Sequence, residues 1–381
     1  MPKQRLKTLS TRLLLSVLLA AGLLGALMAW GGVSPQEVVR TIVGLPPGAY
    51  AMALGLHVTT YCLRALRFRI LIPAKWRPGF RQTFFISSAH NMASYVLPAK
   101  MGEAAFPLYM RIRCRVPSSV GLATLLVSRF LDAAMMCTGL AAACLVLRAS
   151  GRFPGLEWLG LVGLLLSFGS VFFVSLSLRG DLLFRLLSWC LRWIRLHHWS
   201  HGEKFLGKLN TLSHALRISA DRGRIWLALL CTVPLWFTIF GFYTVLARAM
   251  GLSGDISLLE AGFGAGLAGA FNLLPVNGFA GVGTQEFGWV TGFNQFLGYD
   301  YDLALGVGIG VHMIQLFNIV AMGLLAHFAM GLMPRRALAE LESKEAEDLE
   351  HEGVADSDAP ELASSAANTG SIPGANPAAK S

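Results

Sequence analysis

The segment VLPAKMGEAAF (residues 96–106) sets a proline, a lysine, a glycine and a glutamate side by side within one of the most apolar parts of the chain. Proline ends an incoming helix because it lacks the N–H and clashes with the preceding turn. Glycine admits the close or left-handed backbone geometry of a tight turn. A backbone that turns round at membrane depth frees peptide groups from helical bonding, and it survives only where protein or a water-filled cavity surrounds it. This segment therefore decides between a continuous span and a chain that goes into the bilayer and comes back.

The setting is a membrane one. Apolar residues make up 54% of the 381 residues and charged ones only 14%, against about 25% charged in an ordinary soluble domain. A helix needs about 20 apolar residues to cross the hydrocarbon core. Runs of that kind are expected at 13–30, 49–63, 120–147, 156–178, 225–247 and 303–332, giving six full transmembrane helices. The first follows basic residues but lacks a small-x-small cleavage site, so it reads as a retained span rather than a signal peptide. The six cysteines form no C-x-x-C spacing and read as small buried hydrophobes.

Charge placement gives the topology. Lys and Arg accumulate in cytoplasmic loops, and here four lie in residues 1–12, six in 64–81, four in 100–115 and nine in 179–224. Segments 64–81 and 100–115 share a side only if the stretch between them is a re-entrant hairpin broken at 98–103. A second apolar stretch, 258–297, is broken from Pro275 through Gly278, Gly281 and Gly283 to Glu286, and reads as a hairpin coming from the outer side. Asn91, Leu97-Pro98 and Gly102-Glu103 are echoed by Asn272, Leu274-Pro275, Gly283 and Glu286. Opposed hairpins with a shared pattern suggest an inverted-topology repeat, as in transporters that build a midplane site from discontinuous helices. The expected fold is an all-α polytopic membrane protein with both termini cytoplasmic.

Several motifs in this order carry a family resemblance: R-x-x-R-F at Arg64, Arg67 and Phe68; Leu-Pro-x-x-x-Gly-Glu at 97–103; Arg-Phe-Leu-Asp at 129–132; and the later Leu-Pro with Gly-x-Gly-x-x-Glu at Gly281, Gly283 and Glu286. The chain resembles the lysylphosphatidylglycerol synthase transmembrane-domain family, the flippase-like membrane proteins, over roughly residues 10–335. The resemblance implies a polytopic protein of bacterial or archaeal plasma (cell inner) membranes, a class in which some members are implicated in moving lipids between leaflets. In the aminoacyl-lipid synthases a cytosolic aminoacyl-transferase domain follows. Here 47 residues follow Pro334, so synthase activity is not expected.

The candidate site residues are Asn91, Pro98, Lys100, Gly102, Glu103, Arg129, Asp132, Asn272, Pro275, Gly281, Gly283 and Glu286. A helix starting after Pro98 points unpaired N–H groups and its dipole at an anion, with Lys100 adding a full charge. Residues 281–284 can present successive N–H groups in a concave nest. A lipid phosphate suits both. The competing reading is local: Glu103 and Glu286 stabilise their own helix dipoles by about 0.3–1 kcal/mol, and Lys100 either pairs with Glu103 or extends toward the aqueous boundary. Arg129 and Asp132, three apart on a helix, either neutralise each other or serve a lipid phosphate and a coupling proton. His312, Gln315 and Asn318 form a polar stripe of the kind that joins helices; His57, Thr59, Thr60 and His90 are weaker signals.

Two segments remain. Residues 179–224 form a basic cytoplasmic loop in which Arg185, Ser188, Arg192 and Arg195 recur at helical spacing among Leu and Trp, as in a helix lying in the lipid interface. Attraction to anionic lipid explains it without nucleic acid. Residues 336–381 hold ten of the 22 acidic residues followed by Ala, Ser, Asn, Gly and Pro, the composition of a disordered tail. The domain organisation expected is therefore a basic N-terminus (1–12), a membrane domain (13–335) and this tail. No G-x-x-x-x-G-K-[ST], H-E-x-x-H or G-x-S-x-G motif occurs, so no cofactor or ATP-driven cycle is expected. Lipid translocation leads, with anionic membrane lipids as partners. An accessory subunit for a lipid-modifying enzyme and a transporter of a soluble solute are the alternatives.

Overall fold

Several helices in this chain start at a proline or a capping side chain, as at Ser34–Pro35 and Pro46–Pro47. The computed structural model describes residues 18, 21–22, 24–29, 34–97, 102–149, 159–178, 185, 189, 222–272 and 279–331, which contain helices and turns and no strand. They lie in a unit covering residues 1–333, whereas the unit 334–381 lies outside the described residues. The N-terminal segment 1–12, most of the basic loop 179–224 and the acidic tail are likewise outside them.

Helix α1 (Pro35–Val43) starts at a capping box, with Ser34 Oγ accepting from the Glu37 N–H at 3.2 Å and Glu37 Oε2 accepting from the Ser34 N–H at 2.8 Å. It meets α2 (Pro47–Leu71) at 87°. Then come α3 (Phe80–Val96), α4 (Ala105–Cys114), α5 (Ser118–Ala149), α6 (Leu159–Leu178) and α7 (Arg222–Ala249). The rest is α8 (Leu258–Asn272), α9 (Thr284–Val290), a wide π turn (Thr291–Phe296) and α10 (Tyr301–Gly331). By length and composition α5, α7 and α10 are each able to cross a membrane, and the bent pair of α1 and α2 makes a fourth candidate.

Both broken stretches fold back on themselves. After the first break, Gly102 lies against the Ala93 carbonyl of α3, leaving no room for a Cβ. Further on, Phe106 meets His90, with ring centroids 5.5 Å apart, and Phe68, at 4.2 Å. The contacts step backwards along α3 as the chain advances, so α3 and α4 run antiparallel. The second break behaves likewise: Phe287 packs on Phe271 at 5.2 Å, Gly288 on Ala268, and Gly292 on Gly264. Small residues let helix backbones approach closely where no hydrophobic force between helices helps.

Two apolar cores flank these hairpins. One joins α5, α7, α8, the π turn and the first half of α10 around Trp289 and Phe293. The other joins α2, α3, α4, the start of α5 and the end of α10 around Phe68, Phe106 and Met110. Helix α10 belongs to both. Leu24, Leu27 and Met28 of the N-terminal apolar run pack against Val290, Leu305 and Ile309.

The second apolar helix differs from its expected extent, 49–63. It continues to Leu71, so Arg64, Arg67 and Arg69 are helical rather than loop residues. Arg67 is 1% exposed; its partners in neighbouring helices, described below, allow the helix to carry it inward.

Glycine contacts in the second hairpin are testable. In Gly288→Ala the new Cβ would lie 2.8 Å from the Ala268 Cα and 2.9 Å from the Leu267 carbonyl oxygen, so overpacking should cost about 1–3 kcal/mol. Gly269, on the same hairpin, faces open space, and Gly269→Ala should be neutral or stabilising by up to about 1 kcal/mol. Thermal melting followed by size-exclusion chromatography of the detergent-solubilised protein should separate the two, with only Gly288→Ala melting earlier.

Candidate functional site

The site begins on α2, where Tyr61, Arg64, Arg67 and Phe68 share one helical face by their spacing. Arg67 grips Asp132 of α5 with both ends of its fork: Nη1 donates to Oδ1 at 2.6 Å and Nη2 to Oδ2 at 2.9 Å. Helix α7 completes the arrangement. Arg67 Nη1 donates to Thr232 Oγ1 at 3.2 Å, and Trp236 Nε1 donates to Asp132 Oδ1 at 3.3 Å.

With Asp132 committed to Arg67, Arg129 turns elsewhere. Its Nη2 and Nε donate to Glu103 at 2.6 and 3.2 Å, while its Nη1 stays 3.7 Å from Asp132 Oδ2. The Arg129–Asp132 pair expected on α5 is thus the weaker of the contacts each residue makes. Glu103 sits in the turn just after the first break, where His90 Nε2 is 3.8 Å from Glu103 Oε2 and His90 Nδ1 is 3.2 Å from the Gly102 carbonyl.

Among the described residues Arg64 meets no carboxylate. Its Nη1 donates to Asn91 Oδ1 at 2.7 Å, Asn91 Nδ2 donates to the Tyr61 hydroxyl at 2.8 Å, and the guanidinium carbon lies 5.7 Å from the Tyr61 ring centre. Its Nε is buried with no hydrogen-bond partner. Arginine stays protonated in proteins. Arg64, Arg67 and Arg129 therefore set three fixed positive charges against the two carboxylates of Glu103 and Asp132. At an effective dielectric of about 20, a unit charge at about 4 Å attracts an anion by about 4 kcal/mol.

The second hairpin is arranged differently. Ala280, Gly281 and Gly283 all have positive φ, which brings the chain into α9 through a left-handed turn. Glu286 reaches back to cap its own helix, with Oε2 accepting from the Gly283 N–H at 2.6 Å. Its Oε1 is 2.6 Å from His312 Nδ1 on α10, and both side chains are almost fully buried.

Gln315 links the two breaks. Its Nε2 donates to the hydroxyl of Tyr95, which lies at the end of α3, at 3.1 Å. Its Oε1 accepts from Tyr243 at 3.1 Å and from Gln285, at the start of α9, at 2.9 Å. Asn318 Oδ1 accepts from the Tyr50 hydroxyl of α2 at 3.0 Å. The polar stripe of α10 thus joins helices along its whole length. Among the described residues no three His, Cys, Asp or Glu side chains converge as metal ligands.

Residues 13–323 match the family described as the lysylphosphatidylglycerol synthase TM region. The chain belongs to this family. It is also 30% identical over 153 residues to a protein named glycosyltransferase AglD from Haloferax volcanii, a match covering 38% of this chain and 24% of that protein. The chain thus spans about a quarter of that relative's length. No solved structure matches.

In this family member the structure brings together Asn91, Gly102, Glu103, Arg129 and Asp132 around the first hairpin, and Gly281, Gly283 and Glu286 at the second. Asn272 closes α8. Pro98, Lys100 and Pro275 lie outside the described residues, and so does the proposed Lys100–Glu103 pair. Sequence reasoning gave Arg64 and Arg67 only as motif letters and loop charges, and passed over Tyr61, Tyr95, Tyr243, Trp236 and Gln285. Spacing at positions 61, 64, 67 and 68 was the available signal for the first group. Nothing local marks the others, whose partners are far away in the chain.

The Arg67–Asp132 pair predicts strong coupling. Arg67→Met leaves a buried carboxylate without its main partner and should cost about 3 kcal/mol or more. Arg67→Met combined with Asp132→Leu should cost far less than the sum of the two single changes. A double-mutant cycle on melting temperature checks this, and additive losses would mean the pair does not act as a unit.

Proposed function

We propose that this chain is a multi-pass translocator, flippase or scramblase-like, that moves an anionic lipid between leaflets. The observation that carries the reading is the surplus guanidinium of Arg64 beside the first break, held by neutral groups and, among the described residues, lacking a carboxylate partner. An ionisable side chain within the apolar part of a membrane protein is by default a candidate for a substrate or ion path. In this reading six spans and two opposed re-entrant hairpins form an inverted repeat in the cell inner membrane, with both termini cytoplasmic. A head-group phosphate docks beside Asn91, Pro98, Lys100, Gly102 and Arg129, with Arg64 as the added anchor and with Glu103 and Asp132 holding Arg129 and Arg67 in place. The second hairpin, with Asn272, Pro275, Gly281, Gly283 and Glu286, is the counterpart that rocks against it while the acyl chains stay in lipid.

Phospholipids, polyprenyl phosphates and glycolipids all offer the required anion. The partial likeness to a protein named a glycosyltransferase puts sugar-bearing lipids and their phosphate carriers first in the order of testing. The same likeness supports a second reading, in which the membrane helices scaffold a lipid-modifying enzyme and transport nothing.

Purified protein in liposomes, assayed for leaflet exchange of fluorescent phosphatidylglycerol and of a polyprenyl phosphate, tests the proposal. Exchange should fall about tenfold or more in Arg64→Gln, the loss expected when a charge-assisted hydrogen bond of about 1.5–3 kcal/mol disappears. Arg64→Lys should retain part of it. No exchange with any lipid, together with co-purification of a lipid-modifying enzyme, would favour the scaffold.

A further inference from the structure

The two hairpins treat their carboxylates in opposite ways. Glu103 and Asp132 are each held by a guanidinium at 2.6 Å, and a guanidinium does not release its proton. Glu286 is held by an imidazole at 2.6 Å, the one side chain whose ordinary titration falls near neutral pH. Among the described residues no Lys or Arg lies within salt-bridge distance of Glu286 or His312. The polar groups that bond Gln315, one turn after His312 on α10, are uncharged: Tyr95 on α3, Tyr243 on α7 and Gln285 on α9. Tyr50 on α2 engages Asn318, lower on the same stripe.

With a neutral imidazole, the pair carries one uncompensated negative charge in an apolar interior, a costly arrangement. Adding a single proton at His312 Nε2 gives imidazolium beside carboxylate and cancels it, while the Nδ1–H to Oε1 hydrogen bond stays as it is. Nε2 is ready for this step, being buried and without a partner. The Trp289 indole N–H is also buried without a partner, and its ring packs on Gly308, one turn before His312. Side chains on a helix lean toward the preceding turn, which turns His312 toward the side of α10 on which Trp289 packs.

We propose that the Glu286–His312 pair is a proton-binding site that couples leaflet exchange to the proton gradient, with occupancy passed to the first hairpin through Gln285, Gln315 and Tyr95. The proton is taken from water on one side of the membrane, resides on His312 Nε2, and leaves to water on the other. This inference rests on the translocator reading, and the following test lets the two fail separately.

In lipid nanodiscs, with histidine isotopically labelled and the His312 signal identified by its loss in His312→Gln, the imidazole should change protonation state within the pH range over which the protein stays folded. Removing the carboxylate in Glu286→Gln should shift that transition. A single His312 protonation state throughout that range, in wild type and Glu286→Gln alike, would overturn the proposal. In vesicles of phosphatidylethanolamine and phosphatidylglycerol, exchange of fluorescent phosphatidylglycerol should change severalfold when a transmembrane pH gradient is imposed. In His312→Gln the ratio of rates with and without the gradient should fall to unity. Exchange that ignores the gradient in the wild-type protein sinks the coupling and leaves translocation intact; absence of exchange with every lipid, including a polyprenyl phosphate, sinks translocation and the coupling with it.

Discussion

Arg67 is carried almost fully buried into an apolar helix bundle, and it meets Asp132 there with two parallel hydrogen bonds. A buried ion pair adds little stability over a well-packed apolar pair, yet it is expensive to break. Its contribution is register: it fixes which residue of α2 stands opposite which residue of α5, and Thr232 and Trp236 bring α7 to the same point. The remaining charges follow from that choice. Asp132 is occupied, so Arg129 reaches across to Glu103 at the first break, and Arg64, a turn before Arg67, is left with Asn91 and Tyr61. A net positive site at the mouth of the hairpin is the consequence.

The two breaks share a scaffold and differ in chemistry. Each is an antiparallel helical hairpin whose arms touch through glycine, with Gly102 against Ala93 in one and Gly288 and Gly292 against Ala268 and Gly264 in the other. Around the first, permanent charges collect. Around the second, Glu286 caps its own helix and turns its other oxygen to a histidine. One amide side chain, Gln315, is bonded to both ends at once, so motion of either hairpin has to break or carry that contact.

Much of this was legible in the chain itself. Low charge content and long apolar runs give the helical membrane class, and the Pro and Gly clusters mark where the two broken stretches reverse. Motif order led to the family that residues 13–323 match. Glu103, Arg129, Asp132 and Glu286 were picked out because an ionisable residue in an apolar run is conspicuous. Arg64 and Arg67 were not, because they lie at the end of an apolar run, where positive charge ordinarily means a loop; α2 in fact continues through them to Leu71.

Sequence by itself therefore determined the class of fold, the places where backbone hydrogen bonding is interrupted, and the residue types able to hold an anion. It did so through local causes: hydropathy, the missing N–H of proline, and the freedom of glycine. Tertiary structure alone decided who partners whom. Glu103 lies 26 residues from Arg129, Asp132 65 from Arg67 and Tyr95 220 from Gln315. Which helix faces meet across such separations is set by packing of the whole bundle, and that packing determines whether a charge is cancelled, left over, or able to take up a proton.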